Sequence, residues 1–144
     1  EWDRCFAKIV RGMWLCCRAV APSMKERRSG RIITIGSTAP WTGAPGFLHY
    51  ATATSALIGL TRSPARELGD FDICVNMVCL DPPVGTRNSR RLPGSPQEAD
   101  VCQPVLPGVV GPEDLIGPVS FLAGPDSDFI TGQSYLVNAG SWLQ

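Results

Sequence analysis

The 144-residue sequence carries no net charge: thirteen lysines and arginines balance thirteen aspartates and glutamates. That balance removes the electrostatic footprint of a nucleic-acid binder, or of a protein drawn to an anionic membrane. No apolar run approaches the ~18 residues that a membrane-spanning helix requires. Histidine is nearly missing, with His49 alone, and the six cysteines include no Cys-x-x-Cys pair. No metal site is therefore expected, zinc in particular. Nowhere does a strand run into a Gly-x-Gly-x-x-Gly turn, the device that cradles dinucleotide phosphates. No secretory leader is visible, and the first residue is Glu1 rather than Met, so the chain is expected to be a piece of something longer.

What is present is globular in composition, 44% hydrophobic and 18% charged, and long enough for one domain with a real core. Proline is plentiful: thirteen residues, about twice ordinary usage. Cys16 and Cys17 fall in a helical pattern, and Cys74 and Cys79 flank a strand. There cysteine acts as a small buried hydrophobe, and with Cys5 and Cys102 these read as free thiols of a cytoplasmic protein.

Along the chain, residues 2 to 27 read as a helix. Phe6, Ile9, Val10, Met13, Trp14, Cys17, Val20, Ala21 and Met24 recur at helical spacing and mark a broad apolar face. Pro22 is expected to kink or shorten its last turn. Lys25, Arg27 and Arg28 suit the negative end of the helix dipole as a solvated cluster. Residues 31 to 36 read as a buried strand and 46 to 69 as a second helix, with Gly69 as its stop. Pro64 inside that helix removes one backbone bond, worth about 3 kcal/mol in an ordinary helix, so a kink or an early stop is expected. Residues 72 to 80 read as a second buried strand. Residues 82 to 111 form a long stretch rich in Pro, Gly and Arg. Its Arg87, Arg90 and Arg91 could meet an anionic substrate, though a solvated loop is the simpler reading. Pro112 at a first helical position, followed by Glu113 and Asp114, opens a helix over 112 to 123, with Pro118 in its middle. Residues 134 to 137 form a last short strand. Strands alternating with helices imply parallel β-α units.

The stretch from Arg31 to Thr61 organises the rest. The β-branched run Ile32, Ile33, Ile35 ends at Gly36-Ser37, a loop with Pro40, Gly43, Pro45 and Gly46 follows, and Tyr50 then opens a helical pattern. In an open α/β sheet, ligands sit outside the carboxyl ends of the strands, which is where both Ser37 and Tyr50 belong. This unit resembles the short-chain dehydrogenase/reductase family, whose pattern is a strand ending in Ser, a Tyr thirteen positions later and a Lys four after that. Ser37 and Tyr50 keep the spacing; Thr54 takes the lysine position. The resemblance continues through Pro112–Ala123, Phe129-Ile-Thr-Gly-Gln133 and Asn138-Ala-Gly140, and so covers nearly the whole chain.

The resemblance implies an α/β fold: part of a Rossmann-type doubly wound parallel sheet, with the three C-terminal strands and their flanking helices. Residues 1 to 144 are then a single partial domain without the half that holds the cofactor phosphates. The first strand is left with an open edge, a template for association. It also implies an oxidoreductase that moves a hydride between NAD or NADP and a small alcohol or carbonyl. Tyr50 and Ser37 are its catalytic hydroxyls, and Ile9 stands where the family has an asparagine that helps hold a water. The implied cofactor-binding positions are Tyr50, Thr54, Leu80, Asp81, Pro83 and Thr86. Leu80-Asp81 replaces the family's Pro-Gly, and Thr86 is a displaced counterpart of its threonine. Thr54 has a hydroxyl for a ribose but no charge to stabilise a phenolate, so turnover is expected far below that of an intact site. The alternative is a non-catalytic relative that folds and associates. Homo-oligomers are expected through helices 2–27 and 46–69, with no nucleic-acid or membrane partner.

Overall fold

The computed structural model describes residues 1–43, 45–80, 104–108 and 110–143. Three parallel strands form its centre: β1 (Gly30–Ser37), β2 (Ile73–Leu80) and β3 (Ser134–Val137), in the spatial order β1-β2-β3. β2 pairs on both edges, and every one of its residues is buried. Its sequence Ile-Cys-Val-Asn-Met-Val-Cys-Leu accordingly reads as a continuous apolar run interrupted only by Asn76, as expected for a strand covered on both faces. The register places Ser37, Leu80 and Val137 in one row across the carboxyl end of the sheet. An α/β architecture with a parallel sheet flanked by helices is therefore present.

Parallel neighbours cannot be joined by a tight turn. The crossover from β1 to β2 is α4 (Leu48–Leu68), whose Ala53, Thr54, Leu57, Thr61, Ala65 and Leu68 are buried at helical spacing. The helix passes through Pro64 without an early stop. Gly69 stops the helix as expected, capping it after Leu68 at a helical φ of −58°; it opens a 3₁₀ turn, Gly69–Phe71, and the left-handed reversal falls to Asp72 at φ 57°. Before α4, the short helix α3 (Ala39–Thr42) occupies what reads in sequence as loop. Pro40 in its first turn and left-handed Gly43 at its end explain its brevity.

At the N-terminal side, α1 (Trp2–Phe6), a π turn (Ala7–Arg11) and α2 (Gly12–Glu26) follow one another without a break. The helix runs through Pro22 and ends within one residue of the expected boundary. Met13, Cys17, Ala21 and Met24 pack on a core of Ile32, Ala65, Leu68, Ile73 and Val75. Trp14 and Val20, read as part of the same apolar face, are instead exposed, as are Trp2, Leu15 and Cys16. The apolar stripe is wider than the surface the sheet offers it. The basic cluster is fastened rather than merely solvated: Arg28 donates to the Asp70 carbonyl at 2.8 Å, and the Lys25 ammonium lies 4.8 Å from the centre of the Phe71 ring.

On the opposite face lies α5 (Ile116–Ala123), entered through a 3₁₀ turn, Pro112–Leu115, in which the Gly111 N–H donates to Asp114 Oδ2 at 2.8 Å. Because the α-helix proper begins only at Ile116, Pro118 sits in its first turn, where a missing N–H costs little. Phe129 to Gln133 is tied to β2. Asn76 donates to the Ile130 carbonyl at 2.7 Å and accepts from the Gln133 N–H at 3.0 Å, while the Val75 N–H donates to Thr131 Oγ1 at 3.0 Å. Gly132, at φ 73°, gives its N–H to the Val75 carbonyl at 2.7 Å. Among the described residues no helix is long and apolar enough to cross a membrane.

Candidate functional site

Ser37 closes β1 and is 4% exposed. Its Oγ accepts the Ala39 N–H at 3.1 Å, which fixes the oxygen at the start of α3. A hydroxyl has two lone pairs and one proton, so this bond occupies a lone pair and leaves the proton to be donated elsewhere. Tyr50 is half-buried in the first turn of α4, on the same side of the sheet as the row of strand ends. α3 follows Ser37 directly in the chain, and its Trp41 packs on Leu57, Met77 and Cys79.

Thr54 lies one helical turn beyond Tyr50, 4% exposed. Its hydroxyl turns back onto the helix and donates to the Tyr50 carbonyl at 2.8 Å and the Ala51 carbonyl at 3.1 Å. A helix-bound threonine of this kind brings neither a charge nor a reaching donor to the site. Ile9 is the middle residue of the π turn and packs on the same Leu57–Met77–Cys79 cluster as Trp41. The turn itself was not legible in the sequence. It is made by the Gly12 N–H reaching back five residues to the Ala7 carbonyl, and no residue type along Ala-Lys-Ile-Val-Arg announces it. Such single π turns are frequent at functional sites. A cleft of about 150 Å³ opens beside it, lined by Glu1, Arg4, Cys5, Lys8, Ile9 and His49, with His49 Nε2 3.7 Å from the Glu1 carboxylate.

Leu80 ends β2, buried at the level of Ser37. Asp81, Pro83, Thr86, the arginines at 87, 90 and 91, and Cys102 lie outside the described residues. Of the remaining cysteines, all free, Cys79 is fully buried and its thiol is pushed up to about 12 by that burial. Cys17 is raised by burial and then by its neighbour Cys16. Neither is a nucleophile near neutral pH, since reactivity belongs to the thiolate.

A serine hydroxyl at the carboxyl end of a parallel sheet and a phenol in the first turn of the following helix are groups able to handle a proton and a developing negative charge. No glycine-rich dinucleotide turn occurs in the sequence.

Residues 1–141 match the family described as enoyl-(acyl carrier protein) reductase. The chain is similar to D-xylose 1-dehydrogenase of Caulobacter vibrioides, 37% identical over 96% of this chain and 56% of that protein. It is also similar to human dehydrogenase/reductase SDR family member 4, 34% identical over 97% of this chain and 51% of that one. Among solved structures, a 3-oxoacyl-[acyl-carrier protein] reductase with bound NAD from Brucella melitensis superposes with a TM-score of 0.81. That pair is 27% identical, over all of this chain and 53% of the other. The chain thus spans little more than half the length of the curated relatives it matches.

Proposed function

The chain belongs to the short-chain dehydrogenase/reductase family, and on that premise we propose that its Ser37 and Tyr50 are the hydroxyl pair of a nicotinamide-dependent oxidoreductase acting on a small alcohol or carbonyl. One observation carries this reading: a buried serine on the terminal row of the sheet, fixed by the Ala39 N–H, with a tyrosine thirteen residues on in the first turn of the crossover helix. Bound NAD or NADP would supply or accept the hydride. Tyr50 would exchange the proton with the substrate oxygen, and Ser37 would donate a hydrogen bond to that oxygen as charge develops on it. Leu80, Asp81, Pro83 and Thr86 would border the nicotinamide.

Thr54 sets the level of activity in this reading. An unperturbed tyrosine titrates near pH ~10, and each unit of depression represents about 1.4 kcal/mol. Thr54, bonded to its own helix, brings no cation to stabilise a phenolate. The proposal is a slow enzyme, tested by the double variant Thr54→Lys, Ile9→Asn in a full-length background, assayed with NADH and NADPH on a generic carbonyl substrate. A rise in turnover of at least about tenfold, one 1.4 kcal/mol step in barrier, is the expected result. No rise removes Ser37 and Tyr50 from the chemistry.

The same threonine favours a second reading, a non-catalytic relative, and titration with either nicotinamide separates the two: saturable binding supports the enzyme, and none at millimolar cofactor supports the relative. In both readings the exposed Trp2, Trp14 and Leu15 are proposed to associate with a second copy along the α1–α2 and α4 face. The described free thiols favour a reducing, cytoplasmic setting.

A further inference from the structure

The serine of the candidate site is held by a bond to its own chain, two residues on: the Ala39 N–H donates to Ser37 Oγ at 3.1 Å. Local bonds of this kind to a serine hydroxyl are weak turn-formers and do not fix a segment by themselves. The segment that carries Ala39 is α3, a single turn of four residues. Its backbone adds the Trp41 and Thr42 N–H groups on the Thr38 carbonyl, at 2.9 and 3.1 Å, and the Gly43 N–H on the Ala39 carbonyl at 3.0 Å. One isolated turn bears the nucleation cost of a helix without the propagation that offsets it, so α3 is not self-supporting. What remains to hold it is packing. Ala39 is buried but brings a single methyl group. Trp41 brings an indole, one of the largest apolar surfaces a residue can offer, and sets it on Leu57, Met77 and Cys79. Met77 and Cys79 belong to the central strand and Leu57 to α4, and all three are buried. Leu57 is two helical turns beyond Tyr50 and shares its face of that helix. The indole thus ties the turn that follows Ser37 to the helix that carries Tyr50.

We propose that Trp41 is a positioning residue of the site: by pinning α3 to α4 and β2 it keeps the Ala39 N–H on Ser37 Oγ, and through that bond it aims the serine's remaining proton. The inference rests on the oxidoreductase reading of Ser37 and Tyr50. It draws on no open edge and no exposed surface, since β2 is paired on both sides and the partners of the indole are buried. Two of those partners are sulfur residues, a kind that packs favourably on aromatic rings. The ring rather than the indole N–H is therefore what the position requires, and phenylalanine should substitute for it in part.

A double-mutant cycle tests the proposal in the full-length background that carries Thr54→Lys and Ile9→Asn. Trp41→Ala is expected to lower kcat at least about tenfold with KM little changed, and to cost nothing further once Ser37→Ala is in place, because a residue acting through Ser37 then has nothing to act on. Trp41→Phe should recover most of the loss. A side chain that only supported the fold would cost the same in both backgrounds. In the 144-residue chain, the Ala39 amide should exchange at least about tenfold faster in Trp41→Ala while the β2 amides keep their rates. If Trp41→Ala does not fold, Trp41→Leu carries the same cycle and the same exchange measurement. An Ala39 rate indifferent to the loss of the ring would overturn the proposal. Should Ser37→Ala cost rate while the Trp41 cost stays additive to it, this proposal alone fails. Should Ser37→Ala cost no rate, the oxidoreductase reading fails and this proposal with it.

Discussion

Asn76 is the one polar residue in β2, and it accounts for the ordered path of Phe129 to Gln133. With its side chain 1% exposed, it serves an acceptor and a donor of that segment at once. Asn76→Ala would leave both unpaired, at about 1–3 kcal/mol each. The expected outcome is a lower urea midpoint, with earlier exchange of the 130–133 amides than of the rest. Cys79 gives a prediction in pH. Its folded thiol, near 12, lies above the ordinary value of 9.0. Between those values the unfolded chain has released a proton that the folded chain retains, so stability is intact below about pH 9 and falls as pH rises toward 12. Cys79→Ala should flatten that alkaline slope while lowering the plateau through a small cavity. Single residues were unevenly legible in the sequence. Ser37 and Tyr50 could be placed because spacing along a strand–loop–helix unit is a one-dimensional signal. The inward-turned hydroxyl of Thr54 and the exposure of Cys16 could not, because both depend on which neighbours the third dimension supplies.

The elements were read more securely than their ends. β3 was found at its expected residues and β2 within one, because apolar and β-branched runs bounded by turn residues are strong signals. Proline misled at Pro118, which falls in the first turn of α5 rather than its middle, while Pro22 and Pro64 lie inside continuous helices. Pro64 is the case that stays costly: it lies in the interior of α4, and the Leu60 carbonyl lacks the amide that would have met it. Pro64→Ala restores that donor. The expected gain is about 1–3 kcal/mol, partly offset by a looser unfolded chain, and a rise in denaturation midpoint with unchanged slope would show it. A fall in stability would mean that the ring's packing outweighs its missing N–H. The broad stripe of α1 and α2 shows the limit of periodicity: it identifies an apolar face, and how much of that face the sheet can cover is settled only by the arrangement of the other elements.

At the scale of the whole molecule, balanced charge and uncovered apolar side chains act together. With a pI near 6.8, the chain is expected to scatter most light near that pH and least when titrated well away from it, since repulsion between copies returns with net charge. The overall architecture was legible because alternating strands and helices admit few solutions. What no pattern announced was the π turn at Ala7–Arg11, and it governs more than its own five residues. A π turn is an α-helix carrying one residue too many, and each residue of an α-helix is worth about 100° of rotation about the axis. The turn therefore acts as an angular offset between Trp2–Phe6 and Gly12–Glu26. Deleting Ile9 would remove the extra residue and leave the two flanks in their present phase, whereas winding the same residues as unbroken α-helix would swing the Trp2 and Phe6 rings by about a quarter of a turn relative to the core row at Met13, Cys17 and Met24. The winding of this one turn thus determines which way the start of the chain faces, a compass setting kept when the turn and its extra residue are removed together and lost when the turn alone is.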